Sequence, residues 1–351
     1  MTGRDVSSAR RRRAFALPLL FVTLGLAACL DEGVTGAGVD VPAVASVSVS
    51  GVRLDAAQFR QSGEFALGIL AIDEAGDIIL DERTDLTLTL QQQQSPEVPP
   101  LQIIRRQTER VEPNASTTRA AILLDNSGSM STSDPTRLRA AAARLFWEAI
   151  FAASPSNAVS MLDFGQPASV GFVDTRLLQS WTSDPALLTA QLPRIQPSGG
   201  TPLYGSLFEV MRWIDTTGSA NTNRVVLLLS DGAPTDASRR TAVLQSLPTR
   251  NITVHTVGLG SASDLSPSAS TSAVTAMREI ADASGGVYAA ATDAAALGQI
   301  FNVLASASSR GQLISRFQVV PVPPSGTTLR GLVLVNAGGR VATASWSFVA
   351  P

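Results

Sequence analysis

Residues 119–130 read RAAILLDNSGSM: five consecutive apolar residues after Arg119, then an acid, then a run of small polar residues. An apolar run this short and continuous suits a strand buried on both faces, and Asn-Ser-Gly-Ser after Asp125 suits a turn. Similar runs recur as AVSMLDF (158–164), RVVLLLSDG (224–232), ITVHTVGLG (252–260) and GVYAAA (286–291). Helical patterns separate them: one after Asp134, then Pro185 to Leu192, Pro202 to Asp215, Arg239 to Leu247, Ala273 to Ala283 and Ala294 to Ala307. This alternation predicts an α/β domain over residues 117–309, a doubly wound, mainly parallel sheet flanked by helices. In the first helix Asp134 is expected as cap and Pro135 at the first position, with Leu138, Ala142, Leu145 and Ile150 on one buried face.

Sites in an open parallel sheet form beyond the carboxyl ends of its strands, where loops converge. Asp125 and Asp231 both fall at such ends. Gly128 is expected to let the chain turn tightly enough for the hydroxyls of Ser127 and Ser129 to face one point, and Thr201 in GGTPL (199–203) adds a third hydroxyl. Two carboxylates and three hydroxyls make a set of hard oxygen donors suited to Mg²⁺. Any one piece alone reads equally as a Ser-Gly turn with a capping Asp. Three pieces in the order that a known family shows favour a metal site.

The Asp-x-Ser-x-Ser of 125–129, the threonine before a helix and the aspartate of Ser230-Asp231-Gly232 together resemble the von Willebrand factor type A (VWA) domain, over about 190 residues. The resemblance implies a VWA or Rossmann-like fold and a metal-ion-dependent adhesion site (MIDAS). In it Ser127 and Ser129 bind the ion directly, Thr201 directly or through water, and Asp125 and Asp231 largely through water. The ion implied is Mg²⁺, with Mn²⁺ or Ca²⁺ as alternatives, and an open coordination position accepts an Asp or Glu carboxylate of a protein ligand.

Arg10 to Arg13 precede an apolar run over 14–28, the n-region and h-region of a signal peptide (1–28). The run is too short to make a permanent span the better reading. Leu26-Ala27-Ala28-Cys29 resembles the lipobox of bacterial lipoproteins, which implies a lipid on Cys29, the chain's only cysteine. A small apolar cysteine within an ordinary signal peptide is the plainer alternative. Both general secretion and twin-arginine export fit the arginine run. Cleavage before Cys29 takes the net charge from −2 to −6, so charge would not hold the chain to anionic lipid. Residues 29–43, rich in glycine, read as a flexible tether. Leu30 stands where a retained inner-membrane lipoprotein carries Asp, which implies an outer-membrane or surface location in a two-membrane cell.

Residues 44–113 carry strand signals: Val47 and Val49 alternate with Ser, Leu86, Leu88 and Leu90 with Thr, and Asp73 to Asp77 separates two apolar runs. Gln91 to Gln94 and the prolines after it read as an exposed loop. Strand signals return over 311–351 in RFQVVPV, TLRGLVLVN and VATASWSFV, too few to bury a core alone. The two segments are therefore expected to pair as one immunoglobulin-like β-sandwich into which the α/β domain is inserted.

The 351 residues include 44% hydrophobic and 16% charged, a composition that folds. Twenty-seven basic residues, all Arg, against 29 acids argue against a nucleic-acid reader. One Cys and one His exclude a disulfide framework and thiolate or multi-histidine metal sites. An enzyme is not expected: Ser127 stands where an aspartyl-phosphate enzyme would place its second acid, His255 lies inside an apolar run, and neither a GxSxG elbow nor a phosphate-binding GxxxxGK[ST] loop occurs. The leading reading is a lipid-anchored envelope adhesion protein. Its alternative is an envelope scaffold whose β domain binds, with a structural metal in the α/β domain; a hydrolase ranks below both. Trp147, Trp181, Trp213 and Trp346 read as core, and Ser261 to Ser272 as a polar loop on the site's rim.

Overall fold

The computed structural model describes residues 42–79, 84–90, 100–113, 117–217, 221–291 and 294–351. The signal segment, Cys29, most of the tether and the Gln91–Gln94 run lie outside them. In chain order the elements are β1 (Val44–Arg53), α1 (Ala56–Ser62), β2 (Glu64–Asp73), β3 (Asp85–Leu90), β4 (Gln102–Val111), β5 (Thr118–Asp125), α2 (Met130–Ser133) and α3 (Leu138–Ala153). They continue with β6 (Ala158–Phe164), β7 (Thr175–Thr182), α4 (Pro185–Thr189), α5 (Leu203–Thr217), β8 (Asn223–Ser230), α6 (Arg240–Ser246) and β9 (Thr253–Gly258). The last are α7 (Thr271–Ala283), β10 (Tyr288–Ala290), α8 (Ala294–Arg310), β11 (Gln312–Val320), β12 (Thr328–Ala337) and β13 (Arg340–Val349).

The run Ala120–Leu124 forms the middle of the α/β part as β5, paired in parallel with β6 on one side and β8 on the other. Its side chains serve two cores by simple alternation. Ala120, Ile122 and Leu124 join Val225, Leu227 and Leu229 of β8 under α3 and α8, where Phe146, Trp147 and Phe301 are buried. Ala121 and Leu123 join Val226 and Leu228 on the opposite face, against Leu207 and Met211 of α5 and Met277 of α7. Burial on both faces is why these strands are continuously apolar. β9 and β10 extend the parallel set, and β7 closes it antiparallel to β6.

Asp134 does cap α3: its Oδ1 accepts from the Leu138 N–H at 2.7 Å and its Oδ2 from the Arg139 N–H at 3.0 Å. Pro135, however, precedes the helix, whose N-cap is Arg137 at φ 56°. The buried face is also displaced from the expected one. Ala142 and Ile150 are buried with Arg139, Ala143, Phe146 and Trp147, whereas Leu138 and Leu145 are exposed. The bulky aromatics set the helix's rotation because they remove the most apolar area from water.

The N- and C-terminal strands pair with each other as expected, but not as an independent immunoglobulin-like unit. One sheet of the described residues runs β4-β11-β2-β1-β10-β9-β8-β5-β6-β7, joined where β1 meets β10 antiparallel at Val52 and Tyr288. A second sheet, β13-β12-β3, covers only the β1, β2 and β11 end. Between them Phe59, Phe65, Phe317, Trp346 and Phe348 build a third core, with Phe65 and Phe348 ring centroids 5.0 Å apart. The opposite side of β2 and β11 gives Ala66 and Ile314 to the core under α8, so these strands belong to both parts. Of the four tryptophans, Trp147 and Trp346 are core; Trp181 and Trp213 are half-buried.

Candidate functional site

The five residues singled out from the sequence meet beyond the carboxyl ends of β5 and β8. Asp125 ends β5, fully buried; its Oδ1 accepts from the Ser127 N–H at 2.8 Å and its Oδ2 from the Ser230 hydroxyl at 2.5 Å. Ser127 and Ser129 hydroxyls lie 3.0 Å apart, and Ser129 Oγ donates to Asp231 Oδ1 at 2.7 Å. Thr201 enters from the segment before α5: a Cβ placed on Gly232 would stand 3.3 Å from Thr201 Oγ1 and 3.6 Å from Ser129 Oγ. The Thr201 carbonyl also accepts from the Thr235 N–H at 2.9 Å, which ties this segment to the loop after Asp231.

Burial dominates the electrostatics. Removal from water lifts the Asp125 carboxyl to about 6, against the hydrogen bonds of Ser127 and Ser230 and with a further push from Asp231. Asp231 is buried as well, and its Oδ2 has no hydrogen-bond partner among the described residues. A buried carboxylate oxygen left unpaired is costly. Ser129, by contrast, is exposed, so the hydroxyl cluster opens to solvent on its side.

The close approach of the loops depends on a glycine other than the one expected. Gly128 does not sit at positive φ, and a Cβ there would meet only the Gly199 carbonyl, at 3.6 Å. Gly165, the first residue after β6, has φ 92°, and a Cβ there would lie 2.7 Å from both Ser127 N and Ser198 O. Its signal was available in the Phe-Gly step at the end of a buried strand. Ser230 also went unmarked, because a serine closing an apolar strand reads as a turn residue until its partner across the sheet is known. The rim loop after β9 is held rather than merely solvated: Ser261 Oγ donates to the Asp231 carbonyl, and Asp264 is buried against Arg278, Tyr288 and the Val349 N–H.

Among the described residues no three of His, Cys, Asp and Glu gather as a metal site. The crest cluster instead holds two carboxylates and three hydroxyls. His255 stands apart from it, buried in β9 with Nδ1 accepting from the Val287 N–H at 3.3 Å. Burial drives its pKa down to about 3, which keeps the ring neutral.

A doubly wound sheet with hydroxyls and acids converging at its crest defines a class of α/β domain. Residues 120–233 match the family model described as von Willebrand factor type A domain, which places a VWA domain in this part of the chain. Among solved structures the chain is similar to the vWF domain of the type V pili tip protein Mfa5 from Porphyromonas gingivalis, at 15% identity over 56% of this chain and 95% of that one, with TM-score 0.44. It is also similar to a von Willebrand factor type A protein from Catenulispora acidiphila, at 15% identity over 90% and 75%, with TM-score 0.42. A further likeness is to proximal thread matrix protein 1 of the mussel byssus, with a zinc-occupied MIDAS motif, at 14% identity over 60% and 50%, with TM-score 0.43. None of these likenesses bears on this chain's ligand. No curated protein matches it.

Proposed function

We propose that Asp125, Ser127, Ser129, Thr201 and Asp231 form a Mg²⁺-dependent adhesion site with which a lipid-anchored envelope protein binds an acidic group of a protein partner. The observation that carries the reading is Asp231 Oδ2, buried without a partner beside hydroxyls that themselves have lone pairs to give. The donor set is all oxygen and carries two negative charges, which fits a hard divalent cation. Ser127, Ser129 and Thr201 would hold the ion through hydroxyls, with Asp125 and Asp231 supplying charge behind them. Bound there, the ion would supply an electrophilic position for a partner's carboxylate on the exposed Ser129 side. Lipid on Cys29 and an outer-membrane or surface location belong to the same proposal. Among the described residues no helix is long and apolar enough to cross a membrane.

Thermal unfolding in EDTA and in millimolar Mg²⁺ tests the site. At a hundred times its dissociation constant a bound ion adds ~2.7 kcal/mol, several degrees in a chain of this size. Mg²⁺ should raise the melting point of the wild type and leave that of Asp125→Ala unchanged. Equal responses from the two would defeat the metal reading. Partner binding that survives Thr201→Val in a folded protein would move the function to the β strands.

A further inference from the structure

Asn126 is the second residue of the Asp-x-Ser-x-Ser run and supplies none of the five donors. It is nevertheless fully buried and makes hydrogen bonds to four residues. Its N–H donates to the Phe164 carbonyl at the end of β6, at 3.0 Å, and its carbonyl accepts from the Ser198 N–H at 2.7 Å. Its side-chain Oδ1 accepts from Arg139 Nη2 of α3 at 2.8 Å, and its Nδ2 donates to Asp163 Oδ2 of β6 at 3.0 Å. Arg139 can only donate and Asp163, ionised, only accept, so the amide has one orientation that satisfies both.

Each of those partners belongs to an ion pair, the first buried on both sides and the second on its carboxylate side. Arg139 Nη1 meets Asp134 Oδ2 at 2.8 Å, and the same carboxylate caps α3. Asp163 receives Arg176 of β7 through two bonds, Nε to Oδ1 at 2.9 Å and Nη2 to Oδ2 at 2.5 Å. Arg176 Nη2 also donates to the Arg194 carbonyl at 3.0 Å, in the segment that leads to Thr201. Two arginines and two carboxylates thus neutralise each other in pairs, and the Asn126 amide joins the pairs. The arrangement surrounds the loop that carries Ser127 and Ser129 and connects it to α3, β6, β7 and the segment that carries Thr201.

We infer that Asn126 is the positioning residue of the metal site, holding the Ser127–Ser129 loop in register with Thr201 through the Arg139 and Asp163 ion pairs. The inference rests on the adhesion-site reading. The physical case is geometric. A small divalent cation tolerates little departure from its preferred coordination distances, and its hydroxyl donors here come from two separate loops. The direct ties between those loops are backbone bonds, Asn126 O to Ser198 N–H and Gly128 N–H to Gly199 O at 3.0 Å. The side-chain amide prevents the first of these loops from rotating about such bonds. Neither Leu nor Asp could replace it. Leu would leave Arg139 Nη2 and one Asp163 oxygen with a lost partner, and Asp would place two buried carboxylates against each other.

The experiment measures Mn²⁺ affinity of the full-length chain from the paramagnetic resonance signal of the free aqua ion, alongside melting in EDTA. Asn126→Ala should melt cooperatively without metal and bind Mn²⁺ about 10–100-fold more weakly, as for other groups that orient metal ligands. Asn126→Asp should bind more weakly too. A merely structural role would lower the melting point of the variants while leaving Mn²⁺ affinity where it was. Wild-type affinity in Asn126→Ala, or in Asn126→Ser should the alanine variant lose its cooperative melt, overturns the proposal. A wild type that binds Mn²⁺ no better than Asp125→Ala removes the adhesion-site reading itself, a different result from either.

Discussion

Gly165→Ala offers a direct probe of how the loops are held together, because the chain supplies its own control. Gly165 and Gly171 lie in the same connection between β6 and β7, at φ 92° and 89°. Around Gly171 a new Cβ would meet nothing within 4 Å, whereas at Gly165 it would fall 2.7 Å from Ser127 N, 2.7 Å from Ser198 O and 2.8 Å from Asn126 C. Both substitutions incur the left-handed penalty of an L-residue, ~1–2 kcal/mol. Only Gly165→Ala adds overpacking against three backbone atoms that cannot swing aside, a further ~1–3 kcal/mol. Relief requires moving Ser127, whose N–H is bonded to Asp125 Oδ1 at 2.8 Å, so the metal response should fall with the stability. Urea unfolding in EDTA gives the first quantity and a Mg²⁺ titration of the melting point the second. Gly171→Ala should lose ~1–2 kcal/mol and keep the full Mg²⁺ response. Equal losses in the two variants, with equal Mg²⁺ responses, would refute the close approach of the two loops.

His255 predicts a stability slope in acid. Its folded pKa lies below the ordinary value of 6.5, at about 3, so the unfolded chain takes up the proton first; the stability it contributes is complete above pH 6.5 and declines as pH falls toward 3. Between pH 7.5 and 5.5 this group alone should cost the wild type ~1.4 kcal/mol that His255→Asn does not lose, and parallel urea curves for the two proteins would contradict it. Phe348→Ala empties a fully buried site in contact with Phe59, Phe65 and Trp346 and should cost ~3–5 kcal/mol. Because β1, β2 and β11 belong to the same sheet as the α/β strands, calorimetry should show one transition moved to lower temperature; a separate, unshifted second transition would show that the two parts unfold independently.

The α/β part was legible because its signals are local. A parallel strand buried on both faces must be apolar throughout, so AILLD and VVLLLS announce themselves without knowledge of their neighbours. That Asp125, Ser127, Ser129, Thr201 and Asp231 converge was legible for a related reason: each sits where an apolar run stops or a helix starts, and such ends face a common crest in an open sheet. The rotation of α3 was less accessible. Leu138 and Leu145 satisfy a helical period as well as Phe146 and Trp147 do, and only the packing against α8 decides which stripe is covered.

What the sequence determined by itself was the alternation of elements and the order along the chain of the carboxylates and hydroxyls that meet at the crest, since these depend on residue type and short-range spacing. What only the tertiary structure decided was pairing across long separations. Strand signals state which residues alternate, but a hydrogen-bonded ladder does not record its partner in either strand, so β1 beside β10 and β11 between β2 and β4 had to be seen. The same applies to the supports of the site. Ser230 on Asp125, Asn126 between Arg139 and Asp163, and Gly165 against Ser127 act through contacts between residues far apart in sequence, and such contacts exist only once the sheet has brought the loops together.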